Sequence, residues 1–169
     1  MAYTIVRTDN LSGIVDGSKL ATARFYASDN LTAIENGAVI ELKSIDSNAP
    51  DRFTWKAEAV AADKAADGNL ILVATPENNY ERKYFDLADF RNEAGDYLRG
   101  YILEQGDVFS VTVDGFTAGA TTAANVPGVG DKVAIETTGK LIKNNSGEFA
   151  KCLKIETAGT KTFYVLRVL

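Results

Sequence analysis

The chain reads as a mainly β protein. The expected architecture is an antiparallel β-barrel or sandwich-like body with a C-terminal β-meander and at most one or two short helices. Three observations lead there. Apolar and polar residues alternate with period two along several segments, the spacing that turns one face of a strand inward. Turn-forming pairs sit between those segments: Asn36-Gly37, Asp114-Gly115, Thr138-Gly139 and Ala158-Gly159. Pro50, Pro76 and Pro127 all fall between the runs, as proline must when it cannot donate to a ladder.

The opening residues, Ala2 to Thr8, form a short β-competent run in which Tyr3, Ile5 and Arg7 alternate against Thr4 and Val6. A polar, turn-rich stretch follows, Asp9 to Lys19, with Gly13 and Gly17. Next come Ala21, Ala23 and Phe25 on one face against Thr22, Arg24 and Tyr26 on the other. The same pattern recurs with Phe53, Trp55, Ala57 and Ala59 against Thr54, Lys56 and Glu58, which places Trp55 in the core beside Phe53. Phe109, Val111 and Val113 alternate against Ser110 and Thr112. Leu70 to Ala74 and Thr162 to Leu169 are apolar on both faces and read as central or closing strands.

Helix signals are few. Ala57 to Asp67 has high helix propensity and ends at Gly68, but it competes with the strand that holds Trp55, so a strand followed by one helical turn is expected. Asp86 to Asn92 suits a second short helix with Asp86 as its N-cap. Phe116 to Gly130 is uncharged and built almost wholly of small residues, so it reads as a loop or linker. The expected division is a β-rich body at 1–115, this segment at 116–130, and a meander at 131–169 packed on the body. A glycine opens a strand in the segments 36–42, 105–111 and 129–135, but their spacing excludes a solenoid or propeller repeat.

The chain has 169 residues, 46% hydrophobic and 24% charged, enough to bury a core without metal or disulfide support. Its net charge of −5 argues against a general affinity for nucleic acid. Residues 130–169 hold 7 basic and 4 acidic side chains, net +3, while the rest hold 11 and 19, net −8. Lone Cys152 excludes an intrachain disulfide and fits a reducing compartment. The N-terminal residues do not resemble a signal peptide, and no apolar run is long enough to cross a bilayer as a helix.

The sequence has no histidine, which removes Ser-His-Asp and Cys-His catalysis and the commonest metal ligand. Two carboxylates can hydrolyse a glycoside, but pairs such as Asp86 and Asp89, or Glu93 and Asp96, sit in turn-rich sequence where they cap or solvate. No phosphate-binding glycine motif is present. The segment 46–51, DSNAPD, fails as a calcium loop because Pro50 takes a ligand position and Ala57 stands where a bidentate Glu is needed. Tyr80, Tyr84, Phe85, Phe90, Tyr97 and Tyr101 cluster with Arg82, Lys83, Arg91 and Arg99, but interleaved acids cancel the positive field. This favours core or protein interface over single-stranded nucleic acid. No enzyme activity, cofactor or metal is expected.

The segment DFRNEAGDYLRGYILEQGDVFSVTVDGF (89–116), with its NEAG turn, its Arg99-Gly100-Tyr101 and its GDVFSVT strand, resembles small structural proteins encoded beside the capsid genes of tailed bacteriophages. The chain end, from GDKVAI to FYVLRVL, is similar to the closing meander of the same proteins. The resemblance covers about half of the chain and implies a head-decoration or auxiliary capsid protein. Such a protein would coat the expanded shell, be made in the host cytoplasm, take the major capsid protein as partner and form homo-oligomers on the particle. Direct nucleic-acid or membrane contact is not expected. A tail-tube or head-fibre-base component and a carbohydrate-binding or adhesin-like module stay open as alternatives. Tyr3, Ile5 and Arg7 are the candidate partner-binding residues: a strand tethered by Asp9 to Lys19 can leave its body and pair with a neighbour's edge. The competing expectation is that the same strand pairs within its own barrel.

Overall fold

The computed structural model describes residues 2–77, 87–117 and 123–169. Strands account for 44% of the described residues and helical turns for 10%, so the expected mainly β class holds. In chain order the elements are β1 (Val6–Asn10), α1 (Ser12–Val15), β2 (Leu20–Ala27), β3 (Asn30–Leu31), β4 (Val39–Ile45), β5 (Trp55–Ala59), β6 (Leu70–Val73), β7 (Leu98–Ile102), β8 (Val108–Thr112), β9 (Lys132–Ile135), β10 (Leu141–Lys143), β11 (Ala150–Ala158) and β12 (Lys161–Val168).

Two sheets share these strands. Strands β2, β5, β4, β6 and β7 close into a five-stranded barrel, because β7 pairs back onto β2, with Leu20 opposite Tyr101 and Ala23 opposite Leu98. Strand β3 extends β2, and the β2–β5 pairing is parallel while the other pairings of the barrel are antiparallel. The second sheet is antiparallel, in the order β1-β8-β12-β11-β9-β10. The C-terminal meander thus shares a sheet with β1 and β8 from the first part of the chain.

Side-chain alternation explains how the layers meet. Ile71 and Val73 of β6 point into the barrel lumen, while Leu70 and Leu72 point outward into the core between barrel and sheet. That double burial is why β6 is apolar on both faces. The lumen is lined by Ala21, Ala23, Phe25, Ile40, Leu42, Ala57 and Leu98. Alanines stand among the larger side chains because five strands close a narrow cylinder. Gly100 is the extreme case: a Cβ there would lie 2.5 Å from Ile71 Cδ1 and 3.1 Å from Ile71 Cβ. The inter-layer core joins Val39, Leu70 and Leu72 to Phe109, Val111, Phe116, Leu141, Phe149 and Leu166 of the sheet side. Phe116 meets Tyr164 edge to face at 5.2 Å between ring centroids.

Several expectations need correcting. Phe53 lies ahead of β5 in a bend and is 80% exposed; the strand begins at Trp55, which is half-buried against the barrel core. The bend forms because the Asp51 carboxylate accepts from the backbone N–H of Phe53 (2.8 Å) and Thr54 (2.7 Å). No helical turn follows β5; bends and extended chain lead to β6. Within 86–92 a 3-10 turn covers Leu87–Asp89, and Asp86 lies outside the described residues. The four-residue helix α1 falls in the stretch read as polar turns. It is held from outside: buried Asp107 accepts from Ser12 N–H (2.8 Å) and Ser12 Oγ (2.7 Å), supplying the acceptor that the sequence around Leu11 lacks. Phe116 opens the small-residue stretch yet is fully buried, and Thr117 N–H bonds to Leu141 O at 2.8 Å.

A polar group is buried beside the barrel. Asp46, almost wholly enclosed, receives Arg24 Nη1 (3.2 Å), the Tyr26 hydroxyl (2.9 Å) and Asn48 N–H (2.9 Å). This is the role of the first residue of the DSNAPD segment: it compensates an arginine on β2.

Candidate partner-binding site

The three candidate residues belong to the opening segment, and the structure sets that segment into its own sheet. Strand β1 runs antiparallel to β8, with Val6 opposite Val111 and Arg7 opposite Ser110. Upstream, Thr112 N–H donates to Ile5 O (3.1 Å) and Ile5 N–H to Thr112 Oγ1 (3.1 Å). Ile5 is buried against Ala88 and Phe163. Arg7 is half-buried, lies 4.6 Å over the Phe163 ring and pairs with Glu156 at 3.1 Å. Tyr3 N–H donates to Ala88 O at 2.7 Å, and its ring sits 5.6 Å from the Arg91 guanidinium. Of the three, Tyr3 and Arg7 keep accessible surface and Ile5 does not.

Strand β1 is an edge strand, bonded on one side to β8 and lacking a strand neighbour on the other among the described residues. Since Ile5 and Arg7 turn their main chain to β8, alternation turns that of Val6 outward, and the register then shifts between Arg7 and Asn10. Two clefts flank this edge. The first, about 170 Å³, is lined by Tyr3, Thr4, Glu35, Arg91, Thr138 and Lys140 together with apolar Phe25 and Ile34. The second, about 230 Å³, lies along β1 between Val6 and Thr8 on one side and Ala74 to Glu77 on the other.

The charges of the first cleft are mutually compensated. Glu35 accepts from Thr4 N–H (3.2 Å) and Thr4 Oγ1 (3.0 Å) and faces Lys140 at 3.2 Å. Lys140 Nζ also donates to Asp114 O at 2.9 Å. Arg91 pairs with Glu93 at 2.9 Å, which raises the guanidinium pKa further. Behind the wall, buried Asn36 exchanges bonds with Thr75 (Nδ2 to O 2.9 Å, N–H to Oδ1 3.0 Å), and Asn92 Nδ2 reaches both Ile34 O and Asn36 Oδ1. These bonds lock the cleft's shape. In the second cleft, burial pushes the Glu77 carboxyl above its usual range, with an Asn36 hydrogen bond opposing the shift.

The arrangement suits recognition. A partner strand could take main-chain bonds from the β1 edge while the flanking clefts receive its side chains. Among the described residues no three Asp, Glu, Cys or His side chains are grouped to hold a metal ion. Cys152 is buried, and burial raises its thiol pKa, which suppresses the thiolate. Of the aromatic cluster read from the sequence, Phe90 is buried, Tyr101 packs on the inter-layer core and Tyr97 is partly exposed beside Arg24; Tyr80, Tyr84 and Phe85 lie outside the described residues. Sequence reasoning missed Glu35, Arg91 and Lys140 as neighbours of Tyr3. They come from three distant segments, and no local spacing links them. Compared with protein-family models, characterised proteins and solved structures, the chain shows no match.

Proposed function

We propose that this chain is a non-catalytic structural component of a bacteriophage particle, a head-decoration protein that binds the major capsid protein on the outer shell. The observation that carries the binding part is the β1 edge, which lacks a strand neighbour among the described residues, with one cleft along it and another beside Tyr3 and Thr4 just upstream. The capsid part rests on the resemblance of residues 89–116. That segment runs from the Asn92–Asp96 turn through β7, the last strand of the barrel, into β8 of the sheet, so it carries the crossing between the two layers. On this reading the opening segment acts in place: Tyr3 and Arg7 stay on the sheet and Val6 offers its main-chain groups.

The test is co-sedimentation with expanded capsid shells. Val6→Pro removes one outward N–H at an edge where proline is tolerated. The expected outcome is loss of shell binding with an unchanged melting transition. Binding that survives both Val6→Pro and Tyr3→Ala overturns the proposed site, and absence of binding by the unaltered chain overturns the capsid reading. A sugar-binding module is the second reading, because exposed Phe53 supplies a ring of the kind a glycan stacks on. Glycan binding abolished by Phe53→Ala would favour it.

A further inference from the structure

Strand β11 has a free edge over half its length, and the sequence along that edge is complementary to itself. Strand β9 pairs with β11 only at Ala150 and Lys151, and the last bonds across that side are Cys152 N–H to Asp131 O (2.9 Å) and Gly130 N–H to Cys152 O (2.8 Å). From Leu153 to Ala158 the strand is bonded to β12 alone among the described residues. Leu153 (43%) and Ile155 (40%) are among the exposed large apolar side chains. An unpaired, partly apolar edge is a template for another strand.

The direction of the main chain along this edge follows from the hairpin. Gly159 and Thr160 form a two-residue turn with Gly159 at φ +61°, so Ala158 and Lys161 are the doubly bonded pair that closes it. Alternation then points Lys154 and Glu156 toward β12 and leaves Ile155 and Thr157 with outward N–H and C=O groups. The same parity appears farther along β12, where Val168 bonds on its other side to Asp107 O and Gly106 N–H.

We infer that β11 is a homodimer edge: it pairs antiparallel with β11 of a second copy of this chain about a two-fold axis through Ile155. Outward groups must face outward groups, which restricts the two-fold registers to those centred on a residue. Centring on Lys154 opposes two lysines, and centring on Glu156 opposes two glutamates; like charges directly opposite are unfavourable. Centring on Ile155 places each Lys154 opposite Glu156 of the other copy and joins the two Ile155 residues by a pair of main-chain bonds; the regular pairing ends at Lys154, because the β11 register shifts between Cys152 and Lys154. Within one chain Lys154 already contacts Glu156 at 2.7 Å, so the dimer would assemble four alternating charges on one face. Such an isologous contact closes on itself and does not propagate. The inference does not depend on the capsid reading, which uses the β1 edge; the two share only the Arg7–Glu156 pair at 3.1 Å.

The test is sedimentation-equilibrium measurement on the full chain across a wide concentration range, with the melting transition as a fold check. The expected result is a monomer–dimer equilibrium. Ile155→Pro, which removes an outward N–H only, should weaken it by on the order of tenfold or more while the melting transition stays cooperative. Lys154→Glu should weaken it similarly, and the exchanged pair Lys154→Glu with Glu156→Lys should restore it in part, because the opposed charges are again unlike while Glu156→Lys also sets a second cation beside Arg7. A chain monomeric throughout the range overturns the inference. So does a dimer that persists in Ile155→Pro, or one that Val6→Pro abolishes while Ile155→Pro does not.

Discussion

Gly100→Ala tests the packing of neighbouring strands β6 and β7 on the lumen face of the barrel. Alanine in place of glycine within a strand ordinarily stabilises by roughly 0.5–1 kcal/mol, because the unfolded chain has less freedom to lose. At Gly100 the new methyl carbon would stand 2.5 Å from Ile71 Cδ1 and 3.1 Å from Ile71 Cβ. The Cδ1 contact can be relieved by rotation, but Cβ moves only with the backbone of β6, whose two faces are both buried. Overpacking of this kind costs about 1–3 kcal/mol, so the penalty outweighs the entropic gain and the variant should lose about 1–2 kcal/mol. Ile71→Val removes Cδ1 and alone should cost roughly 0.5–1.5 kcal/mol. Combined, the two changes should cost clearly less than the sum of the single effects. Urea unfolding of the wild type, both single variants and the double variant closes the cycle. A neutral or stabilising Gly100→Ala, or strict additivity with Ile71→Val, would refute the packing of β7 against its neighbour β6 on the lumen face.

Phe116→Ala should cost about 3–5 kcal/mol, as expected for a buried aromatic, whereas Phe53→Ala should stay within about 0.5 kcal/mol; thermal unfolding ranks the two. Asp46→Ala should destabilise by about 3–5 kcal/mol, because it strands a largely enclosed Arg24 and the Tyr26 hydroxyl, and Arg24→Ala with Asp46→Ala should recover part of that loss in the same assay. Glu77→Gln should stabilise at neutral pH. A carboxyl whose folded pKa is raised contributes stability below its unfolded value, near 4.5, and loses that contribution as pH rises through the folded value, so the gain from Gln should vanish toward pH 4. An unfolding series over pH 4–8 in which the gain does not shrink on acidification would contradict the burial of Glu77.

The sequence makes some of this fold legible and hides the rest for identifiable reasons. Period-two alternation locates β2, β5 and β8, and apolarity on both faces locates β6 and β12, since these strands turn apolar side chains to a core. It misleads at Phe53, where Asp51 captures the next two N–H groups and a turn wins over strand continuation. It misses α1 because that helix depends on Asp107, 95 residues away from Ser12. Barrel closure through β2–β7 is likewise a pairing between distant segments. For the candidate site, Tyr3, Ile5 and Arg7 are visible as a strand, but their burial depends on β8, Ala88 and Phe163. Residues 130–169 carry a net charge of +3; the structure pairs Lys140 with Glu35, Lys143 with Asp131 at 2.6 Å and Lys154 with Glu156 at 2.7 Å.

The most direct test of the capsid reading is electron cryomicroscopy of expanded phage shells mixed with the purified protein. The account predicts added density at symmetry-related positions on the outer surface, fitted by the barrel-on-sheet body with the β1 edge turned toward the shell. Shells that stay bare at saturating protein, or density that meets the shell through a face remote from β1, would contradict it.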